Sequence, residues 1–306
     1  MFCLDENIRK KGTAVALGYF DGIHIGHKMV LNKALSVAKE KKLVPVVMLF
    51  DIHPRKLISG KVPPMLTSEE RKREILKNMG FTVVDFNFRE AMDYAPGEFI
   101  EKIIVDRLNA KAVSCGFDYH YGKGGKGNAD TMREELRERN IDFFSAEPVA
   151  LGKEVVSSTE IRRLISEGRI ERANAMLGEY FSYDFEVAKG DGIGRTIGFP
   201  TINQFFPKDF IVPKYGVYAS MAKVDGKIYP SVTNVGVRPT VAMDSMRSET
   251  CILDFSGDLY GKRIQVQLIK YLRDEIKFPD INALKRAIGK DIESARNVYK
   301  EVKQNG

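Results

Sequence analysis

The chain of 306 residues contains no tryptophan and only three cysteines, none of them in a CxxC pair. Cysteines this few and this far apart argue against a disulfide framework or a cysteine-based zinc site, so we expect them to be reduced. The longest apolar run, Leu43–Phe50, is far shorter than the roughly 20 residues that cross a bilayer. The first residues carry no signal-peptide pattern. We therefore expect a cytoplasmic protein without a membrane partner.

The sequence also lacks a concentrated patch of one charge. The net charge of +7 is spread over both halves of the chain, and neither end carries a basic tail. Nucleic-acid-binding proteins usually cluster their positive charge, so no nucleic-acid partner is expected. A dispersed excess suits small polyanions such as ATP, and equally an ordinary solvated surface. The length suits two domains of about 150 residues each.

The first half of the chain alternates strand-like and helical segments about five times. Thr13–Gly18 and Leu43–Phe50 are apolar runs typical of buried parallel strands, and Lys28–Lys41 and Glu98–Leu108 have helical spacing. This alternation predicts a doubly wound, Rossmann-like α/β domain. We place that domain at residues 1–180.

The second half, residues 181–306, follows a different pattern. Asp225-Gly226 between apolar segments predicts a β-hairpin. Glu249–Phe255 and Arg263–Leu268 alternate with period two, and an amphipathic helix begins near Asp280. Repeated short strands closed by one helix predict a small β-barrel.

A candidate phosphate site lies in GYFDGIHIGH, Gly18–His27, between a predicted strand and a predicted helix. Backbone amides and the helix dipole bind phosphate at such a position. His24 and His27 are three residues apart and can face one pocket. A metal pair and two unrelated surface histidines are the alternatives, although no carboxylate stands at the spacing of a HExxH zinc site.

A second polar cluster begins at Ser157. Ser157 followed by Glu160 fits a capping box, which any helix can use. That local role does not account for Ser158, Thr159 and Arg162 in the same turn. Their hydroxyls and guanidinium would bind further phosphate oxygens.

HxGH after a strand resembles the signature of the nucleotidylyltransferase superfamily, and the longer string GxFDGxHxGH resembles the bacterial bifunctional riboflavin kinase/FAD synthetases. Three further segments match in family order: Phe50–Arg55, Gly116–Asn128 and Val156–Ile165. The resemblance implies adenylylation of FMN to FAD in the first half. Because the FMN phosphate is already anionic, its attack on ATP needs alignment and charge stabilisation but no general base.

The resemblance assigns roles to residues of the first half. His24, His27 and Arg162 are the expected catalytic residues. The expected ATP-binding residues are Gly18, Phe20, Asp21, Gly22, His24, Gly26, His27, Ser157, Ser158, Thr159 and Arg162. On the flavin side the resemblance implies His53, Pro54 and Asp118.

GRTIGFPTIN, Gly194–Asn203, resembles the riboflavin kinase signature. The resemblance implies that ATP is bound by Gly194, Gly198, Pro200, Thr201 and Asn203. Thr201 and Asn203 would offer oxygens to Mg²⁺, which prefers such ligands. A Pro-Thr-x-Asn segment can also be an ordinary turn.

The kinase reaction needs a general base, because the riboflavin 5′-hydroxyl is neutral. Glu249 stands where the family has its catalytic glutamate, and the alternative is a strand end in solvent. The resemblance adds Asn234, Arg238 and Arg273 as pocket residues. For Arg273 a solvated charge run before the last helix is the competing interpretation.

Three positions depart from the family pattern: Phe117, Phe185 and the loop that contains His120 and Gly122–Gly127. The predicted function is a bifunctional transferase that uses riboflavin, FMN, FAD and ATP, with Mg²⁺, as a monomer or weak homo-oligomer. One alternative is a riboflavin kinase with weak or altered adenylyltransferase activity. The other is a non-enzymatic regulator that binds flavin or nucleotide.

Overall fold

The computed structural model describes residues 4–50, 60, 62–190, 193–238 and 245–305. The described chain divides into two compact units. One contains the residues up to Pro63 together with Ser68–Ser157, and the other contains Pro64–Thr67 together with the residues from Ser158 onward. This division falls at a different place from the predicted functional boundary after residue 180.

The first unit is built on a parallel sheet of five strands in the order β3-β2-β1-β4-β5. The strands are β1 Thr13–Leu17, β2 Val44–Phe50, β3 Thr82–Phe86, β4 Ala110–Gly116 and β5 Asp142–Ala146, followed by a two-stranded ribbon of β6 Ala150–Leu151 and β7 Glu154–Val155. The helices are α1 Glu6–Lys11, α2 Ile25–Lys41, α3 Glu69–Asn78, α4 Phe88–Ala91, α5 Pro96–Phe99 and α6 Ala129–Glu138, with a 3₁₀ turn at Lys123–Gly125. The predicted doubly wound α/β domain is confirmed.

Apolar residues cover both faces of this sheet. Val15 and Leu17 belong to the core on one face, and Ala16 belongs to the core on the other. All five residues of β1 are buried, as an uninterrupted apolar run requires of a strand at the centre of a parallel sheet. Ser114 of β4 donates a hydrogen bond to the Val30 carbonyl of α2 at 3.0 Å, which ties the helix after β1 to the next strand of the sheet.

Two details of the first unit differ from the sequence prediction. The predicted helix Glu98–Leu108 consists of α5 and a π-helical segment, Ile100–Arg107. β5 was not predicted, because all five of its residues are half-buried. Such a strand shows neither a continuous apolar run nor a clear alternation.

The second unit is built on a six-stranded sheet in the order β8-β13-β10-β11-β12-β9. Its strands are β8 Ser182–Tyr183, β9 Ile202–Phe205, β10 Gly216–Val224, β11 Lys227–Arg238, β12 Ser245–Ile252 and β13 Gln265–Arg273. Its helices are α7 Ser158–Ser166, α8 Ile170–Leu177, α9 Ile193–Thr196 and α10 Ile281–Asn305. All the described strand pairs in this sheet are antiparallel.

The segment that follows β8 joins the two edges of this sheet. β8 pairs with β13 at one edge. A few residues later, the Ala188 amide donates a hydrogen bond to the Asn203 carbonyl of β9 at the other edge, at 2.8 Å. The sheet is thereby closed into the small barrel that the sequence predicted.

The β-hairpin prediction is confirmed, and two strand limits are corrected. Asp225 and Gly226 have φ of 47° and 80° and connect β10 to β11, as a two-residue turn of this kind requires. The predicted strand Glu249–Phe255 instead begins at Ser245 and ends at Ile252. β13 continues past the predicted end at Leu268 to Arg273.

The two faces of the barrel sheet have different surroundings. Val217, Ala219 and Met221 of β10 pack against Ala295 and Val298 of α10. On the other face hydroxyl groups are buried, and Thr233 lies 2.8 Å from both Ser220 and Thr250. The cavity described below is on the α10 side.

Phe185, one of the departures from the family pattern, lies in an aromatic cluster. Its ring centroid is 5.4 Å from that of Tyr183, 5.7 Å from that of Phe206 and 5.0 Å from that of Phe210. These contacts give the large side chain a packing role. Within the described residues, no helix has the length and apolar character needed to cross a membrane.

Candidate active sites

Two loops of the first unit meet at the edge where the parallel strands end. Gly18–His27 follows β1, and the segment from Phe117 follows β4, which is the direct neighbour of β1. The strand order changes direction between these two strands. Ligands of doubly wound folds bind outside the carboxyl ends of the strands at such a point. The topology therefore brings the predicted phosphate segment and the predicted flavin-side loop to one place.

The turn after β1 has an unusual backbone. Phe20 and Ile23 have φ of 55° and 39°, values that residues other than glycine rarely adopt. Both side chains are buried, so core packing holds the turn in this conformation. Strain of this kind, maintained by the surrounding core, is typical of ligand-binding turns.

His24 and His27 stack at the start of α2. Their ring centroids are 3.6 Å apart, with an angle of 16° between the planes. His24 Nδ1 accepts a hydrogen bond from the His27 amide at 3.2 Å and so caps the helix. His27 Nδ1 is buried and has no hydrogen-bond partner among the described residues. Both predicted histidines thus lie at the helix N-terminus, and one of them has an unused polar atom.

The surroundings of His27 favour its neutral form. Burial lowers the pKa of His27 well below its ordinary value, and the nearby His24 and Lys72 lower it further.

Among the described residues, no group of three or more His, Cys, Asp or Glu side chains is arranged to hold a metal ion. The alternative of a histidine metal pair therefore gains no third ligand from this part of the chain.

Lys72 is a charged residue of this region that the sequence analysis missed. It is 1% exposed. Its ammonium group lies 2.8 Å from Glu69, 3.4 Å from the Tyr19 carbonyl and 4.2 Å above the Tyr19 ring. A buried positive charge therefore contacts Tyr19, which belongs to the predicted phosphate segment Gly18–His27. The sequence did contain a signal for the burial of Lys72: it lies four residues before Leu76, and both residues are on the buried side of α3.

The structure describes only some of the residues predicted on the flavin side. His53 and Pro54 lie outside the described residues. Asp118 is exposed and lies beside Gly116, where an added Cβ would be 2.9 Å from the Asp118 carboxylate.

The unusual glycine-rich run has a defined conformation. Tyr121 and Gly127 exchange two backbone hydrogen bonds of 3.0 Å. A Cβ at Gly127 would lie 2.6 Å from the Tyr121 ring, so the closure of this loop requires glycine there. His120 lies 3.1 Å from the Gly125 carbonyl. The departure from the family pattern therefore corresponds to a closed loop at the β4 end of the sheet.

The second predicted phosphate cluster is divided between the compact units. Ser157 ends the first unit, and α7 of the second unit begins at Ser158. Ser158 and Thr159 occupy the first turn of α7. Arg162 Nε donates a 2.7 Å hydrogen bond to the Pro64 carbonyl, which fixes this side chain within the second unit.

Four of the predicted kinase residues lie in one row across the barrel sheet. Asn203 of β9 is opposite Glu249 of β12, which is opposite Asn234 of β11. The row continues through Val217 of β10 to Arg273 of β13. Residues directly opposite in antiparallel strands have Cβ atoms about 4.5–5.5 Å apart. Four of the five positions in this row were predicted from the sequence.

This row forms the floor of a cavity of about 460 Å³, a size typical of small-molecule sites. Gly194 and Thr201 also line it, whereas Gly198 and Pro200 are not among its lining residues. The backbone of Arg238 continues β11, but its side chain is outside what the structure describes. An apolar wall is formed by Val232, Ile276, Phe278, Leu284 and Ile288.

Several oxygen-bearing side chains line the cavity. Asn203 is 7% exposed and Thr201 is half-buried. Both line the cavity, as does Glu249, and Asn203 is the register partner of Glu249. Hydroxyl, amide and carboxylate oxygens are hard donors of the kind that Mg²⁺ prefers, so this donor set fits that ion.

Glu249 is not at a strand end in solvent, as the alternative interpretation had it. It is the fifth residue of β12, with paired strands on both sides. Its carboxylate forms an ion pair with Arg247, which also lines the cavity. Arg247 was not among the residues predicted from the sequence, although its position two residues before Glu249 puts it on the same strand face.

Arg273 is likewise not part of a solvated charge run. Its guanidinium makes two hydrogen bonds to Asp291 of α10, at 3.0 and 2.7 Å, and Asp291 is 6% exposed. Glu275, two residues further on, accepts a hydrogen bond from Asn234 at 3.0 Å. The end of β13 therefore connects the cavity floor to α10.

Family models match almost the whole chain. A FAD synthetase model matches residues 6–160, and a riboflavin kinase model matches residues 177–299. Relatives called bifunctional riboflavin kinase/FMN adenylyltransferase are similar over nearly their full length. The Bacillus subtilis protein is 35% identical over 95% of this chain and 94% of its own, and the Escherichia coli K12 protein is 33% identical over 95% and 94%.

A solved structure has the same overall architecture. It is described as a macrolide-efflux protein from Streptococcus pneumoniae, is 29% identical, and matches with a TM-score of 0.84 over 94% of each chain. A match of this extent covers both units.

Proposed function

Because this chain belongs to the bifunctional riboflavin kinase/FMN adenylyltransferase family, we propose that residues 181–306 carry the kinase and residues 1–180 the adenylyltransferase. The chain phosphorylates riboflavin to FMN and adenylylates FMN to FAD, with ATP as the second substrate of both reactions. Both reactions take place in the cytoplasm, where the buried free thiols of Cys115 and Cys251 stay reduced.

The observation that supports the kinase assignment best is the register row of Asn203, Glu249 and Asn234 at the cavity floor. Glu249 accepts the proton of the riboflavin 5′-hydroxyl as that oxygen attacks the γ-phosphorus of ATP. Thr201 and Asn203 would hold Mg²⁺, which would neutralise phosphate charge. The apolar wall, with Ile276 and Phe278, suits the flat isoalloxazine ring.

In the adenylyltransferase site the FMN phosphate attacks the α-phosphorus of ATP, and pyrophosphate leaves. The amides at the start of α2, together with His24 and His27, bind phosphate oxygens there. Asp118 and the closed loop Tyr121–Gly127 form the flavin side, with Gly18, Phe20, Asp21, Gly22 and Gly26 shaping the turn. Alignment and charge stabilisation supply the catalysis.

One product time course tests this function. Purified protein with riboflavin, ATP and Mg²⁺ should form FMN with ADP, and then FAD with pyrophosphate. FMN without any FAD or pyrophosphate would favour the alternative of a kinase whose adenylyltransferase is weak. Formation of neither product would favour a regulator that only binds flavin or nucleotide.

A further inference from the structure

Arg247 occupies a place in the kinase cavity that the roles above leave unexplained. It lies two residues before Glu249 on β12, so strand alternation puts both side chains on one face, and both line the cavity. Its opposite residue on β11 is Gly236, which has no side chain. The Glu275 carboxylate lies over Gly236, and the Arg247 guanidinium forms its ion pair with Glu249 on its own strand.

The pairing of Arg247 differs from that of the other charged groups around the cavity. The Arg247 side chain is 13% exposed, and a cation buried to this degree requires a partner. Arg273 is held by Asp291, and Glu275 accepts a hydrogen bond from Asn234. Among the described residues, the charged partner of Arg247 is Glu249. Its carboxylate is the group that accepts a proton in the proposed reaction.

The chemistry of phosphoryl transfer changes this pair. The O–H bond of the 5′-hydroxyl breaks and its proton passes to Glu249. The hydroxyl oxygen forms a bond to the γ-phosphorus, and the bond from that phosphorus to its bridging oxygen breaks, with the electron pair leaving on ADP. Glu249 thereby loses its charge. At the same moment a phosphate ester carrying a charge of about −1.5 to −2 forms at the oxygen that Glu249 deprotonated.

The geometry points to Arg247 as a phosphate-binding residue of the kinase site. Its guanidinium pairs with Glu249 before the transfer and with the transferred phosphoryl group afterwards. The planar guanidinium has parallel donors that match either a carboxylate or a phosphate, so one side chain serves both partners. This inference rests on the proposed kinase function.

The test compares Arg247→Met and Arg247→Lys in the full-length protein, with initial rates of ADP formation as the measurement. ADP reports the kinase alone, because adenylyl transfer releases pyrophosphate. We expect Arg247→Met to lower kcat about 100-fold and Arg247→Lys to recover about tenfold of this loss, since lysine keeps the charge but not the planar donors.

The second measurement is product inhibition by added FMN. Riboflavin has no phosphate and FMN has one, so Arg247→Met should raise the inhibition constant of FMN at least tenfold while the KM for riboflavin changes less than about threefold. This difference would not arise from a merely structural role. The control is Arg296→Met, which removes an exposed arginine paired with Asp254 and should change neither constant.

An unchanged inhibition constant in a folded Arg247→Met variant would overturn the inference, and so would equal increases in the riboflavin KM and the FMN constant. If Arg247→Met does not fold, Arg247→Lys carries the test, and a wild-type FMN constant in that variant overturns the inference. A wild-type protein that forms no ADP would instead overturn the proposed kinase function itself.

Discussion

Asn203 and Glu249 are direct register partners across the β9–β12 strand pair. The residue proposed to hold Mg²⁺ and the residue proposed to accept the hydroxyl proton are therefore neighbours, about 4.5–5.5 Å apart at their Cβ atoms. Any ion bound by Asn203 lies close to the oxygen that Glu249 activates. The two roles can consequently be separated only by experiments that change one side chain at a time.

Glu249→Gln should lower the rate of ADP formation from riboflavin by a factor of 10² to 10⁴, because glutamine cannot accept the hydroxyl proton. Conversion of added FMN to FAD should continue at the wild-type rate. The matched control is Glu301→Gln, an exposed residue of α10, which should leave both rates unchanged. Full FMN formation by Glu249→Gln would contradict the proposed base.

Asn203→Ala should raise the Mg²⁺ concentration needed for half-maximal ADP formation, because one oxygen donor is lost. Activity should return partly at high Mg²⁺. Asn297→Ala, which changes an exposed asparagine of α10, serves as the control. An Asn203→Ala protein with the wild-type Mg²⁺ dependence would count against this residue as a ligand.

His27→Ala should abolish FAD formation from FMN and ATP, since it removes the ring that stacks on His24 and is proposed to bind phosphate. FMN formation from riboflavin should persist, because the kinase residues lie in the other unit. Pyrophosphate and ADP release, measured separately, distinguish the two reactions. Loss of both activities in a protein that keeps its wild-type melting temperature would contradict independent sites.

The lowered pKa of His27 predicts how the pH affects ATP binding at the first site. Burial, and then the proximity of His24 and Lys72, keep this ring neutral at neutral pH. Bound phosphate favours the protonated ring, so ATP binding takes up a proton. The KM for ATP in pyrophosphate release should therefore fall as the pH falls from 8 to 6, by at most about tenfold per pH unit.

His27→Gln provides the control for this pH dependence. Glutamine does not titrate, so the variant should lose the part of the pH dependence that His27 causes. A KM for ATP that is constant over this range in the wild type, or an identical dependence in His27→Gln, would show that His27 does not take up the proton.

Asp291→Ala should destabilise the protein, because it leaves Arg273 without its partner in a pair that is largely buried. We expect a loss of roughly 2 kcal/mol in the free energy of unfolding, measured by urea titration. The riboflavin KM should also rise, since this pair connects α10 to the cavity floor. Glu293→Gln, an exposed change on the same helix, should have neither effect.

The sequence was sufficient for features that depend on local chemistry. The hairpin at Asp225-Gly226, the buried run of β1 and the helix predicted at Lys28–Lys41 follow from turn residues, apolar continuity and helical spacing, although that helix begins at Ile25. The motif order along the chain was sufficient to identify the family. Strand limits were less predictable, as the extension of β12 to Ser245 illustrates, because pairing with neighbouring strands decides where a strand begins and ends.

The sequence by itself determined two units of different pattern, with a candidate phosphate-binding turn after β1 and a glutamate on a barrel strand. Only the tertiary structure decided that Asn203, Glu249, Asn234 and Arg273 share one row, because the register between strands depends on the packing of the whole barrel. The same holds for Arg247 and Lys72. Each meets a carboxylate close to it in sequence, Glu249 and Glu69 respectively, but only the packing of the strand and helix faces decided that both cations are largely buried.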